Sequence, residues 1–119
     1  MTALDPAHLV GTGGALGALC RVYVSQRFEG DYPTGTLAVN VIGSFALGLV
    51  TFAGAGETAV LLVGTGACGS FTTFSSFSFE TVRLVEEGEA GRAAANALVT
   101  LFGALAAIGL AWLVVRAVG

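Results

Sequence analysis

The chain has 119 residues, of which 55% are apolar and only 11% are charged, and its net charge is −3. A soluble domain carries about 25% charged residues, so a fully water-facing surface is disfavoured. The small acidic charge also argues against nucleic acid as a partner. With a single histidine and no CxxC pair, a zinc site is not expected. Residues 1–119 are therefore predicted to form one all-α membrane domain.

Four apolar stretches follow one another along the chain, joined by short connections. Each is close to the roughly 20 residues that cross a bilayer core. We therefore predict four transmembrane helices, at residues 6–28, 33–54, 58–85 and 91–117. Asp5-Pro6 predicts the start of the first, because an aspartate N-cap followed by proline suits a helix N-terminus. Four short helices would not easily enclose a pore alone, which favours an oligomer.

Small residues recur at a spacing of four in the first two stretches. Gly13 and Gly17 form one such pair, and Ser44 and Gly48 form another. Small residues let helix backbones approach closely in lipid, where no hydrophobic force separates a helix from the acyl chains. Both pairs are predicted to pack against neighbouring helices.

The third stretch contains Gly64, Gly66 and Gly69 in the spacing GxGxxG. That spacing binds dinucleotides only between a strand and a helix of a βαβ unit, and no such unit is predicted here. We interpret these glycines instead as positions where the third helix loosens or breaks, with simple glycine packing as the alternative. A break would free backbone groups that need new partners in the membrane.

The segment Ser70–Phe79 places six hydroxyls and four phenylalanines in ten residues without a charge. Phe71, Phe74 and Phe77 recur every three residues and share a helix face, which packing alone would explain. The interleaved hydroxyls instead indicate a polar track inside the membrane, a functional feature by default. Ring edges carry partial positive charge, so phenylalanines presented edge-on would favour an anion.

Two further polar residues lie inside apolar stretches. Asn40 is either interhelical glue or a donor in a pathway. Arg21 either snorkels to the interface or lies at a vestibule, where it would raise the local anion concentration. The first, second and fourth stretches contain no carboxylate, which argues against a proton-coupled antiporter. No catalytic constellation is present either, so we do not expect an enzyme.

Taken together, these residues resemble the CrcB/Fluc family of fluoride channels. The resemblance covers essentially the whole chain, including the four-stretch layout. Its motifs are Gly13-Gly14-Ala15-Leu16-Gly17-Ala18 with Arg21, Gly35-Thr36-Leu37-Ala38-Val39-Asn40 with Gly43-Ser44, and Gly69-Ser70-Phe71-Thr72-Thr73-Phe74-Ser75-Ser76-Phe77.

The resemblance implies a passive, fluoride-selective channel of the cell membrane that exports fluoride and lowers its cytoplasmic level. It also implies an antiparallel, dual-topology homodimer with two pores and a third helix broken near residues 69–73. Backbone carbonyls of Gly69 and Thr72 from both subunits would hold one structural Na⁺, with no organic cofactor. The implied fluoride-pathway residues are Asn40, Phe74, Ser75, Phe77, Thr73, Arg21 at the vestibule and, by spacing, Asn96 and Thr100 in the fourth helix.

Three alternatives stay open at this point. A small four-span multidrug or cation exporter would need a carboxylate in its first span. A non-transporting membrane assembly subunit would explain the small residues but not the clustered hydroxyls. Within the channel hypothesis, Arg27, Arg83 and Arg92 lie near the first and third loops, and only Arg116 lies near the other end. This bias could fix one orientation, with a sister subunit completing a heterodimer.

Overall fold

A computed structural model describes residues 5–28 and 32–119, and over these residues the predicted all-α architecture is confirmed. The predicted first connection falls largely on residues 29–31, which lie outside the described part. The third stretch is divided into two pieces, so that five helical segments follow one another. They are α1 (Pro6–Arg27), α2 (Thr34–Phe52), α3 (residues 57–71), α4 (Phe74–Glu86) and α5 (Ala90–Val118).

Three parts of the described chain are long and apolar enough to cross a membrane: Thr34–Phe52, Glu57–Glu86 and Ala90–Val118. The middle one comprises α3 and α4 together. The first predicted span, α1, has 22 residues but is not among the three. Its length suffices, but Arg21, Arg27 and several small polar residues lower its apolar character. The described helices therefore provide three apolar spans, and the middle one is bent.

The start of α1 confirms the prediction made from Asp5-Pro6. Asp5 is the N-cap, and its Oδ1 accepts a hydrogen bond of 2.8 Å from the Ala7 N–H. Proline stands at the first helical position, where a missing N–H costs nothing because that group has no partner inside the helix.

Helix α1 packs against α3 with almost no side chain between the two backbones. A Cβ atom added at Gly13 would collide with the Leu62 carbonyl oxygen, and one added at Gly17 would collide with the Ala67 carbonyl. From the other side, a Cβ at Gly66 would lie 2.8 Å from the Val10 oxygen. The predicted close packing of Gly13 and Gly17 is confirmed, and it brings α3 within reach of polar atoms on α1.

Helix α2 packs against α5 in a similar way. A Cβ at Gly48 would lie 2.8 Å from the Ala111 Cβ, and Val39 and Ala111 are completely buried. The predicted packing role of Gly48 is therefore confirmed as well.

The glycines of the third span loosen the helix, and the break follows them. Residues Val60–Cys68, which include Gly64 and Gly66, form a π-helix whose turns are wider than α-helical turns. The chain leaves the helix at Thr72 (φ −85°, ψ 161°) and Thr73 (φ −151°, ψ 123°). Both residues are extended, so the break needs no left-handed backbone.

Most large apolar side chains of the single chain point outward. Leu19, Phe79 and Phe102 are each more than 60% exposed, whereas Leu84 and Val39 are nearly inaccessible. In water, exposed apolar surface of this extent would drive aggregation. It fits a chain whose solvent is lipid and whose interior is filled by glycine, alanine and a few polar groups.

We predict that Gly13→Ala destabilises the protein by about 1–3 kcal/mol, because the added methyl group has no room against the Leu62 carbonyl. Gly11→Ala is the matched control, since no atom of another helix in the described part of the chain lies within 4 Å of its added Cβ, and alanine favours a helix. Thermal unfolding in detergent checks both variants. Equal melting temperatures for the two would contradict the packing account.

Candidate functional site

The break in the third span is held by the side chain of Asn40 on α2. Asn40 Oδ1 accepts a hydrogen bond of 2.8 Å from the Thr73 N–H, and Asn40 Nδ2 donates one of 3.0 Å to the Thr73 carbonyl oxygen. Both backbone groups of an extended residue are thereby satisfied by one side chain. The structure thus shows a contact between α2 and the break. The second Nδ2 hydrogen of Asn40 takes no part in these two bonds.

Thr73 also starts α4. Its Oγ1 accepts a hydrogen bond of 3.1 Å from the Ser76 N–H, the usual role of an N-cap threonine, and lies 3.2 Å from the Ser75 hydroxyl. The α4 N-terminus, with its partial positive charge, therefore begins at a residue that lines the cavities described below. Ser75 itself is exposed on the single chain.

A cavity of about 400 Å³ lies between α2, α3, the break and α5. Its lining includes Asn40, Ser44, Thr73, Phe74, Phe77 and Thr100, all neutral. The rings of Phe74 and Phe77 lie 5.8 Å apart between centroids and are tilted by 47°. The structure therefore gathers four of the predicted pathway residues from α4, α5 and the break around the Asn40 amide.

Thr100 has an unusual environment in this cavity. Its side chain is only 8% exposed, and its Oγ1 is buried with no hydrogen-bond partner among the described residues. An unpaired buried hydroxyl costs about 1–3 kcal/mol. Thr100 lines the larger cavity, although its Oγ1 has no accessible surface in the single chain.

A second, smaller cavity of about 280 Å³ lies beside α1. Arg21, Ser25 and Gln26 of α1 line it together with Thr36, Thr73 and Ser76. Thr73 therefore lines both cavities. Arg21 is partly buried, and its Nη1 lies 3.5 Å from the Thr72 carbonyl oxygen, so its positive charge stands next to the break.

Asn96 is placed differently from the other predicted pathway residues. It is 1% exposed and is not among the residues that line the larger cavity. Its Nδ2 donates a hydrogen bond of 2.9 Å to Thr81 Oγ1. The Thr81 hydroxyl in turn donates one of 2.7 Å to the Phe77 carbonyl oxygen. Asn96 therefore joins α5 to the α4 backbone behind Phe77.

Two polar contacts near the site were not predicted from the sequence. Thr36 on α2 donates a hydrogen bond of 2.5 Å to the Glu80 carboxylate on α4. Ser44 lines the larger cavity, and its hydroxyl donates 2.7 Å to the Asn40 carbonyl oxygen. Ser44 was predicted only as a small packing residue. Glu80 and Thr36 are 44 residues apart, and nothing in the local sequence links them.

The carbonyls of Gly69 and Thr72 have the chemistry of a cation site. Gly69 lies in the last turn of α3 and Thr72 is its C-cap residue, where carbonyls lack partners within the helix and carry partial negative charge; the Thr72 carbonyl also accepts a hydrogen bond from Arg21 Nη1. In a continuous helix the Thr73 N–H would donate to the Gly69 carbonyl oxygen. Here it donates to Asn40 Oδ1 instead. Unwound carbonyls at such helix ends coordinate Na⁺ in transporters, so these residues fit the ion. One chain offers two carbonyls at this site, so further ligands to a Na⁺ would have to come from another molecule.

Comparison with known proteins places the chain in a family. The family model described as CrcB-like protein, Camphor Resistance (CrcB), matches residues 8–112. A Haloarcula marismortui protein named fluoride-specific ion channel FluC 2 is 63% identical over 119 residues, covering 99% of this chain and 100% of that protein.

More distant relatives carry similar names. FluC 1 of Halobacterium salinarum is 53% identical, over 92% of this chain and 93% of its own. FluC of Methanocaldococcus jannaschii is 46% identical over 82% of this chain and 83% of its own length. With three apolar spans and full-length similarity to proteins named as ion channels, this is a membrane protein, and the chain belongs to the CrcB family.

Proposed function

We propose that this protein is a fluoride-selective channel of the cell membrane that lets fluoride leave the cell down its electrochemical gradient. The observation that carries the proposal is the 63% identity, over nearly the full length, to a protein named as a fluoride-specific ion channel. The cavity at the break supports it, because its lining matches the chemistry of a small anion.

Fluoride is small and strongly hydrated, so a pathway must replace its water with several short hydrogen bonds. The buried Thr100 hydroxyl, which has no partner among the described residues, and the second Nδ2 hydrogen of Asn40 would supply two of these bonds. The edges of Phe74 and Phe77 add weak positive potential. Since none of the residues that line the larger cavity is charged, each contact is weak enough to release the ion, as conduction requires.

Other predicted residues take positions around this path. Arg21 in the second cavity would raise the fluoride concentration next to the break. Thr73, which lines both cavities, and Ser75 beside it would form the polar track between them. Asn96 would act indirectly by holding the Phe77 backbone through Thr81.

The functional unit in this proposal is an antiparallel, dual-topology homodimer with two pores and with α1 as a fourth span. The exposure of Phe74 supports an assembly, because the residue is 78% accessible on the single chain although it lines the cavity. A second chain would cover it and close the path. A sister subunit of fixed opposite orientation is the alternative partner.

One Na⁺ would lie between the two subunits, held by the carbonyls of Gly69 and Thr72 from each. These carbonyls stand at the end of α3 and are suited to the ion. When bound, the cation would neutralise the converging carbonyl dipoles and tie the two helix breaks together.

Passive export is sufficient for this function. Fluoride enters a cell as neutral HF and dissociates inside. A membrane potential of 100 mV, negative inside, contributes about 2.3 kcal/mol per charge. At about 1.4 kcal/mol per tenfold concentration ratio, this holds a gradient of roughly fortyfold. No chemical reaction or counter-ion is needed, so the proposal is a channel and not an enzyme.

We expect the purified protein in liposomes to release trapped fluoride and to retain chloride, as followed with ion-selective electrodes. Asn40→Asp should abolish the fluoride efflux, because it replaces a hydrogen-bond donor with a negatively charged acceptor. Protein-free liposomes are the control. A wild-type protein that releases no fluoride, or that releases chloride equally fast, would contradict the proposed function.

Thr100→Val separates function from stability. Valine keeps the shape of threonine and removes an unpaired buried hydroxyl, so the melting temperature should stay the same or rise. Fluoride efflux should fall at least about tenfold, the factor that corresponds to about 1.4 kcal/mol of lost transition-state binding. Thr100→Ser keeps the hydroxyl and should retain most of the efflux. Unchanged efflux in Thr100→Val would remove Thr100 from the pathway.

A further inference from the structure

We propose that Asn40 is the positioning residue that creates the cation site, because it takes the Thr73 N–H away from the Gly69 carbonyl. The inference rests on the proposed function and deepens it. It assigns Asn40 a structural role in addition to its proposed contact with fluoride. It also explains why the third helix ends before Thr73.

The π-helix and the Gly69-Ser70 pair loosen the end of α3, but the extended residues Thr72 and Thr73 are not produced by a proline or by a left-handed glycine. No proline lies between Glu57 and Glu86, and the positive-φ glycines of the described residues are Gly54, Gly56 and Gly88, all in connections. Sharp kinks otherwise arise where a side chain inserts into the i→i−4 ladder. The Asn40 amide does so, because it bonds both backbone groups of Thr73.

The consequence for the carbonyls is direct. In a continuous α-helix the Thr73 N–H would donate to the Gly69 carbonyl. Here the preceding bond of the ladder, from the Thr72 N–H to the Cys68 carbonyl, is present at 3.1 Å, and the next donor goes to Asn40 Oδ1. The ladder therefore ends immediately before Gly69, and its carbonyl is left for another positive partner.

The backbone of α2 beside Asn40 makes room for this arrangement. Gly43 leaves room for the break, since a Cβ there would collide with the Thr72 methyl group. The extended Thr72 can then turn its carbonyl toward the positive charge of Arg21, 3.5 Å away.

The Asn40 amide also lines the larger cavity. One side chain thus faces the proposed anion path and fixes the proposed cation site. Removing it should let Thr73 return to the Gly69 carbonyl and extend α3. The affinity for sodium should then fall, as it does when groups that orient metal ligands are removed, by about 10- to 100-fold.

The test measures sodium binding without any ion flux. The full chain in detergent is melted in NaCl and in N-methylglucamine chloride at equal ionic strength, and the sodium concentration that gives half of the stabilisation is determined. Wild type and the control Ser44→Ala should be stabilised by sodium. Ser44 lines the same cavity, but its hydroxyl bonds the α2 backbone and not the break.

In Asn40→Leu the stabilisation by sodium should disappear or need at least about tenfold more of the ion. If Asn40→Leu does not fold, Asn40→Ser replaces it, because its hydroxyl is too short to bond both backbone groups of Thr73, and the same loss is expected. An Asn40 variant with the sodium dependence of wild type would overturn the inference, as would a wild type that sodium does not stabilise. Neither result depends on fluoride efflux, which tests the proposed function separately.

Discussion

A helix that stops inside a membrane must find partners for the backbone groups that it frees, because lipid supplies none. In this chain the Asn40 amide supplies two of them, to the N–H and the carbonyl of Thr73. Thr73 then caps α4 with its own hydroxyl. Residues of the break line the larger cavity, and in our proposal the Gly69 carbonyl is left for a cation because the Asn40 amide has taken the Thr73 N–H.

The glycines determine how closely the helices approach one another, and therefore which polar side chains can reach a neighbouring helix. Gly13 and Gly17 bring α1 against α3 backbone to backbone, and Gly48 brings α2 against α5. In this tight bundle several polar side chains reach a partner on another helix, as Thr36 does with Glu80, Ser70 with the Gly14 carbonyl and Asn96 with Thr81. Thr100 lines the larger cavity, and its buried hydroxyl has no partner among the described residues.

Much of the fold could be predicted from the sequence, because the apolar stretches and Asp5-Pro6 are local signals. The break was expected near residues 69–73 from the family resemblance and lies at Thr72 and Thr73, while the glycines before it form a π-helix. The partners of the polar residues could not be predicted. The Thr36–Glu80 bond and the position of Asn96 behind Phe77 depend on how the helices are rotated, and no local pattern encodes that rotation.

The central claim is that neutral groups at this break pass fluoride without coupling it to another ion. The reversal potential of the current in a planar bilayer tests this claim most directly. With a tenfold fluoride gradient and equal chloride on both sides, the account predicts reversal near 59 mV, the value for a single-charge ion at about 25 °C. A pH difference between the two sides should leave this value unchanged. A reversal near zero, or one that follows the proton gradient, would contradict it.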